Sequence, residues 1–149
     1  MRRIRVMPPV YLLAAIAAMV LLNRFLPAVR LYSTPCRWLG LIPMVAGIMF
    51  ALWAIRLFRK HQTTIKPGQP SSRLVTEGPF RFSRNPIYVG MVLVLSGSAM
   101  VLGSLLPWLM IPIFVGLVSR NVILIEESML REAFGTEYQQ YQAKVRRWI

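Results

Sequence analysis

The sequence predicts an all-α integral membrane protein with about four transmembrane helices and a C-terminal amphipathic helix at the membrane interface. Of its 149 residues, 56% are hydrophobic, which is well above the share in a soluble domain of this length. The 18 Lys and Arg residues give a net charge of +13, and they cluster at the ends of apolar runs. Such cations serve membrane topology and attract anionic lipid headgroups, so we expect membrane lipids as partners and no nucleic acid.

We expect a single membrane domain over residues 1–149, because the chain is too short to form a second independent core. One cysteine allows no internal disulfide framework. One histidine, with no Cys and His spacing around it, predicts no metal site.

Four apolar runs predict the spans. The first, about residues 10–26, follows two prolines and is near the lower length limit for crossing a membrane; it resembles a signal peptide but lacks a small-residue cleavage site. The second covers about 38–58. The third and fourth, about 86–102 and 105–127, are separated only by Gly103 and Ser104, so they must form a tight helical hairpin.

The distribution of Lys and Arg predicts the topology. Residues 56–84 hold seven of them and the N-terminus three, whereas the first loop holds three and the turn at Gly103 none. By the positive-inside rule, the N-terminus, the long loop and the C-terminal tail lie in the cytoplasm. We therefore expect a multi-pass protein, in a bacterial inner membrane, whose two polar clusters meet at one membrane face.

The first polar cluster, E-G-P-F-R-F-S-R-N-P-I-Y-V-G, covers residues 77–90. Asn85 is a favoured N-cap and Pro86 suits the first helical position, so a helix is predicted to begin there. Its exposed N–H groups, with Arg81 and Arg84 beside them, would suit a carboxylate or phosphate. The alternative is that both arginines only anchor the helix at lipid headgroups.

The second polar cluster, residues 120–141, begins inside the fourth apolar run. An ionisable residue such as Arg120 is costly there and is therefore a candidate functional residue. Arg120 and Glu127 are seven residues apart and would share a helix face, so a structural ion pair is the alternative interpretation.

Gly135 indicates a helix stop, and a new helix is predicted over about 137–147. Its apolar side would comprise Tyr138, Tyr141, Val145 and Trp148. Its cations would face lipid headgroups: Lys144, Arg146 and Arg147.

Together the two clusters, separated by one helical hairpin, resemble the signature of the isoprenylcysteine carboxyl methyltransferase family, which is related to the phospholipid N-methyltransferases. The resemblance covers roughly residues 74–148 and implies a membrane enzyme that uses S-adenosylmethionine. It implies site residues in both motifs: Gly78, Arg81, Arg84, Pro86, Tyr88 and Gly90 in the first, and Glu126, Glu127, Tyr138 and Tyr141 in the second. Asn85 is a departure, because the family usually has His there, and Asn cannot carry a proton.

The residues are compatible with that cofactor. The chain has no Gly-rich strand-to-helix segment of the soluble methyltransferase kind, so the cofactor would lie among helices. Its methionine carboxylate suits the helix start near Asn85 and Arg84, and its ribose hydroxyls suit Glu126 or Glu127. Tyr88 could offer its ring to the sulfonium.

The predicted reaction is carboxyl O-methylation of a lipophilic substrate that enters from the bilayer. A carboxylate acceptor is ionised at neutral pH and needs no base, only a cation to orient it. Arg120 is the leading candidate for that catalytic role and Arg81 the alternative. Methylation of a lipid amine, or a membrane binding module without enzymatic activity, remain the other interpretations.

Overall fold

The computed structural model describes residues 6–26, 29–31, 34–61 and 73–149. Within these ranges the chain is helical, with one isolated antiparallel bridge between Arg30 and Ser104. The α-helices are α1 (Pro8–Phe25), α2 (Thr34–Arg37), α3 (Leu41–Lys60), α4 (Pro86–Leu102), α5 (Met110–Val118) and α6 (Leu124–Lys144). Shorter 3₁₀ turns are Trp38–Gly40, Gly78–Arg81 and Leu106–Leu109, and a π-helical turn covers Ser119–Ile123.

The all-α membrane fold predicted from the sequence is confirmed. In the described part of the chain, three helical stretches are long and apolar enough to cross a membrane, and α4 is a shorter apolar helix. Helix α4 has the predicted bounds, and α1 begins two residues early because Pro8 suits a first helical position. The second stretch also starts early, at Thr34, and continues to Lys60.

The predicted end of the fourth helix near residue 127 is wrong. Helix α6 passes this point and reaches Lys144 as two helical segments that meet at Gly135, because the membrane boundary does not itself end backbone hydrogen bonding. A kink at Gly135, with φ +48° and ψ −119°, confirms the predicted interruption. The predicted C-terminal helix ends at Lys144 rather than 147, since Val145 is extended.

Helices α3 and α4 pack with their backbones in close approach. A Cβ atom placed on Gly90 would lie 2.5 Å from the carbonyl oxygen of Gly47, and one placed on Gly40 would lie 2.5 Å from that of Gly97. Small residues permit such contacts between membrane helices. Gly90 therefore has a packing role, and its predicted cofactor role stays a prediction.

The fourth helical stretch is Leu106–Lys144, and the turn between α4 and this stretch, with residues 29–31 of the first loop packed on it, is called the hairpin end here. Gly103 has φ +77°, a left-handed conformation that glycine adopts without strain. Main-chain hydrogen bonds join Leu31 N to the Gly103 carbonyl and Leu105 N to the Val29 carbonyl. The hairpin predicted from the short spacer is therefore confirmed, with the first loop bound to it.

Between the two ends of the bundle lies an apolar core from α1, α4 and the fourth helical stretch. Met19, Leu95 and Val118 are fully buried within it. This core holds the N-terminal end of α4 beside α6, which positions the polar residues described next.

Candidate active site

The two polar clusters meet at the end of the bundle opposite the turn, called the site end here. The 3₁₀ turn Gly78–Arg81 and the start of α4 pack against α6. The Tyr141 hydroxyl donates to the Phe80 carbonyl oxygen at 2.7 Å, and Tyr138 is only 1% exposed. The aromatic side of the C-terminal helix thus packs against the first motif.

Glu127 is the centre of an ion-pair cluster. Its side chain is buried, yet three guanidinium groups reach it. Arg147 binds both carboxylate oxygens, at 2.9 and 2.7 Å, while Arg84 lies at 3.3 Å and Arg131 at 3.7 Å. The hydrogen bonds to Glu127 raise the pKa of Arg147, so this guanidinium stays charged.

Arg84 retains one buried donor for a further partner. Its side chain is 11% exposed, and its Nε atom is buried with no hydrogen-bond partner among the described residues. Buried N–H groups in proteins are nearly always paired, because an unpaired one loses its hydration without compensation. The unpaired Nε therefore indicates a place for an acceptor such as a carboxylate oxygen.

Glu126 makes the second link between the motifs. The Tyr88 hydroxyl, on the first turn of α4, donates to both oxygens of Glu126, at 3.0 and 3.1 Å. Each carboxylate oxygen can accept more than one hydrogen bond. Tyr88 therefore fixes the orientation of Glu126 without filling its capacity.

Asn85 occupies the predicted N-cap position of α4, followed by Pro86, but its side chain does not cap the helix. Its carbonyl accepts from the N–H groups of Tyr88 and Val89, while its amide Nδ2 donates to the Arg147 carbonyl at 2.9 Å. The predicted capping bond is wrong, because a cap would need the side-chain oxygen to accept from a helix N–H, whereas this side chain is turned toward the Arg147 carbonyl.

The two predicted catalytic arginines lie apart from the cluster. Arg81 and Arg120 are both exposed, and neither is among the ion-pair partners of Glu127 in the described chain. Arg120 lies in the π-helical turn Ser119–Ile123. The extra residue of a π-turn shifts the helix face, so the seven-residue spacing no longer places Arg120 over Glu127.

Sequence reasoning missed the role of Arg147 and expected it at lipid headgroups, which is wrong. Ser83 and Arg131 were also missed as members of this end. The predicted site residues Arg84, Asn85 and Tyr88 are close together in the first motif, but the bidentate partner of Glu127 lies 20 residues further along the chain. The composition could have indicated this contact. With five acidic residues and 18 Lys and Arg residues, a buried carboxylate is expected to form an ion pair with an arginine.

Comparison with known proteins supports the resemblance. The family model described as phospholipid methyltransferase matches residues 35–137. An uncharacterized protein of Haemophilus influenzae is 38% identical over 63 residues, which are 42% of this chain and 100% of that protein. The protein-S-isoprenylcysteine O-methyltransferase of Schizosaccharomyces pombe is 35% identical over 72 residues, 48% of this chain and 30% of that enzyme.

A solved structure is similar over nearly the whole chain. The eukaryotic intramembrane Ras methyltransferase ICMT, an isoprenylcysteine carboxyl methyltransferase, matches with a TM-score of 0.66 and 26% sequence identity. The match covers 95% of this chain and 51% of that one, so this chain spans about half the length of that enzyme. With the family model matching well over half of its residues, the chain belongs to the phospholipid methyltransferase family.

Proposed function

We propose that this protein is an integral membrane methyltransferase that uses S-adenosylmethionine. The observation that carries the proposal is the pairing of the two motifs, in which an oriented carboxylate, Glu126, lies at the same end as a buried arginine with an unpaired donor, Arg84. These groups match the two polar ends of the cofactor: a carboxylate for the arginine, and ribose hydroxyls for the carboxylate.

The fit assigns roles to individual residues. Arg84 Nε donates to the methionine carboxylate, aided by the positive end of the α4 dipole after Asn85 and Pro86. Glu126 accepts from the ribose hydroxyls in preference to Glu127, because both oxygens of Glu127 already bind Arg147. When bound, the cofactor would supply an electrophilic methyl group attached to its sulfonium sulfur. The sulfur leaves as a neutral thioether, so the leaving group needs no protonation.

The other predicted cofactor residues frame this site. Gly78 has φ +59° at the start of its 3₁₀ turn, where a side chain would be strained. Tyr141 bonds the Phe80 carbonyl of that turn, and the buried Tyr138 lies beside Tyr141 on α6 with the ring centroids 6.2 Å apart. Their roles are to shape the site and exclude water from it.

Carboxyl O-methylation of a lipophilic substrate is the reaction these residues favour. Arg120 is exposed at the surface of a membrane helix, so its guanidinium is available to the carboxylate of a substrate that arrives from the bilayer. Arg81, exposed beside the first motif, is the alternative. Neither role requires a group that titrates near neutral pH, and Asn85 could not supply one.

The second candidate is N-methylation of a phospholipid amine, and the matching family model favours it. An amine acceptor is protonated at neutral pH and must lose that proton before it can attack a methyl group. N-methylation therefore needs a base, whereas O-methylation does not.

The test uses purified protein in detergent with radiolabelled S-adenosylmethionine. Binding is measured first, and then methyl transfer to an isoprenylated cysteine carboxylate and, separately, to phosphatidylethanolamine. We expect base-labile methyl esters at a rate that stays flat from about pH 6 to 8, because neither a carboxylate acceptor nor an arginine that orients it changes protonation there.

Variants at two exposed arginines test whether Arg120 orients the carboxylate of the methyl acceptor. Arg120→Ala should depress turnover at least about tenfold with little change in cofactor affinity, since one charged contact to the acceptor is lost. Arg24→Ala, which removes an exposed arginine near the hairpin end, is the matched control. Methylated amines would promote the second candidate, and no cofactor binding at all would leave a binding module without enzymatic activity.

A further inference from the structure

Residues 145–149 leave α6 and return to the first motif. Val145 is extended, with φ −123° and ψ 130°, and it ends the helix. The family model matches residues 35–137 only, so it assigns nothing to this segment. Its position next to Arg84, Asn85 and Glu127 calls for an explanation of its own.

Three consecutive residues of the first motif hold the segment by its backbone. The main-chain N–H of Arg84 donates to the Arg146 carbonyl at 3.0 Å. The Ser83 hydroxyl and the Asn85 amide both donate to the Arg147 carbonyl, at 3.2 and 2.9 Å. Ser83 is fully buried and Asn85 is 8% exposed, so the donor side of the two bonds to Arg147 is shielded from solvent.

The side chains of the segment fix it from the other side. The bidentate bond between Arg147 and Glu127 ties the segment to α6, and Trp148 packs against the apolar core. A planar guanidinium that binds both carboxylate oxygens sets the orientation of its partner as well as its charge.

We propose that residues 145–149 form a wall of the cofactor site and that Arg147 is the positioning residue that holds this wall closed. The inference rests on the proposed function, because it assigns the segment to the site that binds S-adenosylmethionine. With both oxygens of Glu127 bound by Arg147, Arg84 keeps its Nε available for the cofactor. Without Arg147, Glu127 draws Arg84 into a full ion pair, and the wall opens to water.

The test compares the wild-type protein with three variants in detergent. Amide hydrogen exchange at the Arg84 N–H, measured without cofactor, shows whether residues 145–149 stay bonded to the first motif. The Kd for S-adenosylmethionine shows whether Arg147 positions this segment for cofactor binding. Arg147→Ala should speed exchange at Arg84 and weaken cofactor binding about tenfold or more. Arg147→Lys restores the charge without the bidentate geometry and should recover part of the affinity.

Lys144→Ala is the matched control, since it removes an exposed cation three residues away and should change neither quantity. Unchanged exchange at Arg84 in Arg147→Ala would contradict the proposal that Arg147 holds residues 145–149 against the first motif. Faster exchange with unchanged cofactor affinity would overturn the positioning role. If the wild-type protein does not bind S-adenosylmethionine, the proposed function and the positioning role both fail, while the exchange data still decide whether Arg147 closes the segment.

Discussion

The two ends of the helix bundle use arginine in different ways. At the hairpin end, Arg37 donates to two neutral main-chain acceptors, the carbonyls of Val101 and Leu102, at 2.8 and 3.0 Å. At the site end, arginines bind the carboxylate of Glu127, and Arg84 Nε has no partner in the part of the chain that the structure describes. The first arrangement caps the C-terminal end of a helix, and the second leaves a buried guanidinium donor in the proposed cofactor site.

The distribution of acidic residues explains this contrast. All five lie at Glu77 or beyond residue 125, in the segments that form the site end. Arg37 therefore binds carbonyls at the hairpin end, which also suits its attraction to the negative end of the α4 dipole. The contrast indicates that the site is distinguished by its carboxylates, since cations occur at both ends.

The largest expected effect is an all-or-none difference between the two ends of the bundle in the side of the membrane on which they lie. A reporter fused after Ile149 should lie in the cytoplasm, and one inserted between Gly103 and Ser104 should lie on the opposite side, because Lys and Arg concentrate at the site end. Activity of paired reporters, each active in only one compartment, measures this. The reverse pattern would move the site end out of the cytoplasm and contradict the predicted topology.

Removal of the central carboxylate should destabilise the protein most. Glu127→Gln leaves the buried Arg84 without its counter-ion, which costs about 3 to 5 kcal/mol in the free energy of unfolding. Thermal unfolding in detergent, followed by tryptophan fluorescence, measures the loss. Glu132→Gln, at an exposed position of the same helix, is the control, and equal stability of the two variants would show that the cluster is not structural.

Glu126→Gln should mainly affect the ligand. Loss of a charged acceptor for the ribose hydroxyls should weaken S-adenosylmethionine binding about tenfold to a hundredfold. Isothermal titration in detergent measures the Kd, with the exposed Glu137→Gln as the control. An unchanged Kd in a folded variant would mean that the hydrogen bond between Tyr88 and Glu126 serves only the structure of the protein and not cofactor binding.

The smallest effect is expected at the hairpin end. Arg37→Ala removes two hydrogen bonds to carbonyls of α4 and should lower the free energy of unfolding by about 1.5 kcal/mol. Cofactor affinity should not change, because Arg37 is far along the bundle from Arg84. A loss of affinity as large as that of Glu126→Gln would mean that the two ends are coupled and would break the comparison.

The helices could be predicted closely where hydrophobicity and terminal signals agree. Helix α4 lies between an Asn-Pro start and a left-handed Gly103, and both signals are local in sequence. The predicted fourth helix was too short because an apolar run marks only the part of a helix that lies in the membrane. The backbone hydrogen bonds of the helix continue beyond that run. The π-turn at Ser119–Ile123 has no sequence signal of its own, which is why the predicted face shared by Arg120 and Glu127 failed.

The sequence by itself determined that this is a helical membrane protein, that a hairpin separates two polar motifs, and that both motifs lie at one end, because hydropathy, charge and caps act over a few residues. Only the tertiary structure decided which arginine binds which carboxylate. Arg84, Arg131 and Arg147 are equivalent by charge, and their distances to Glu127 depend on how α6 packs on α4 and on the return of residues 145–149. A side-chain contact between residues 20 positions apart is set by that packing, and no local pattern encodes it.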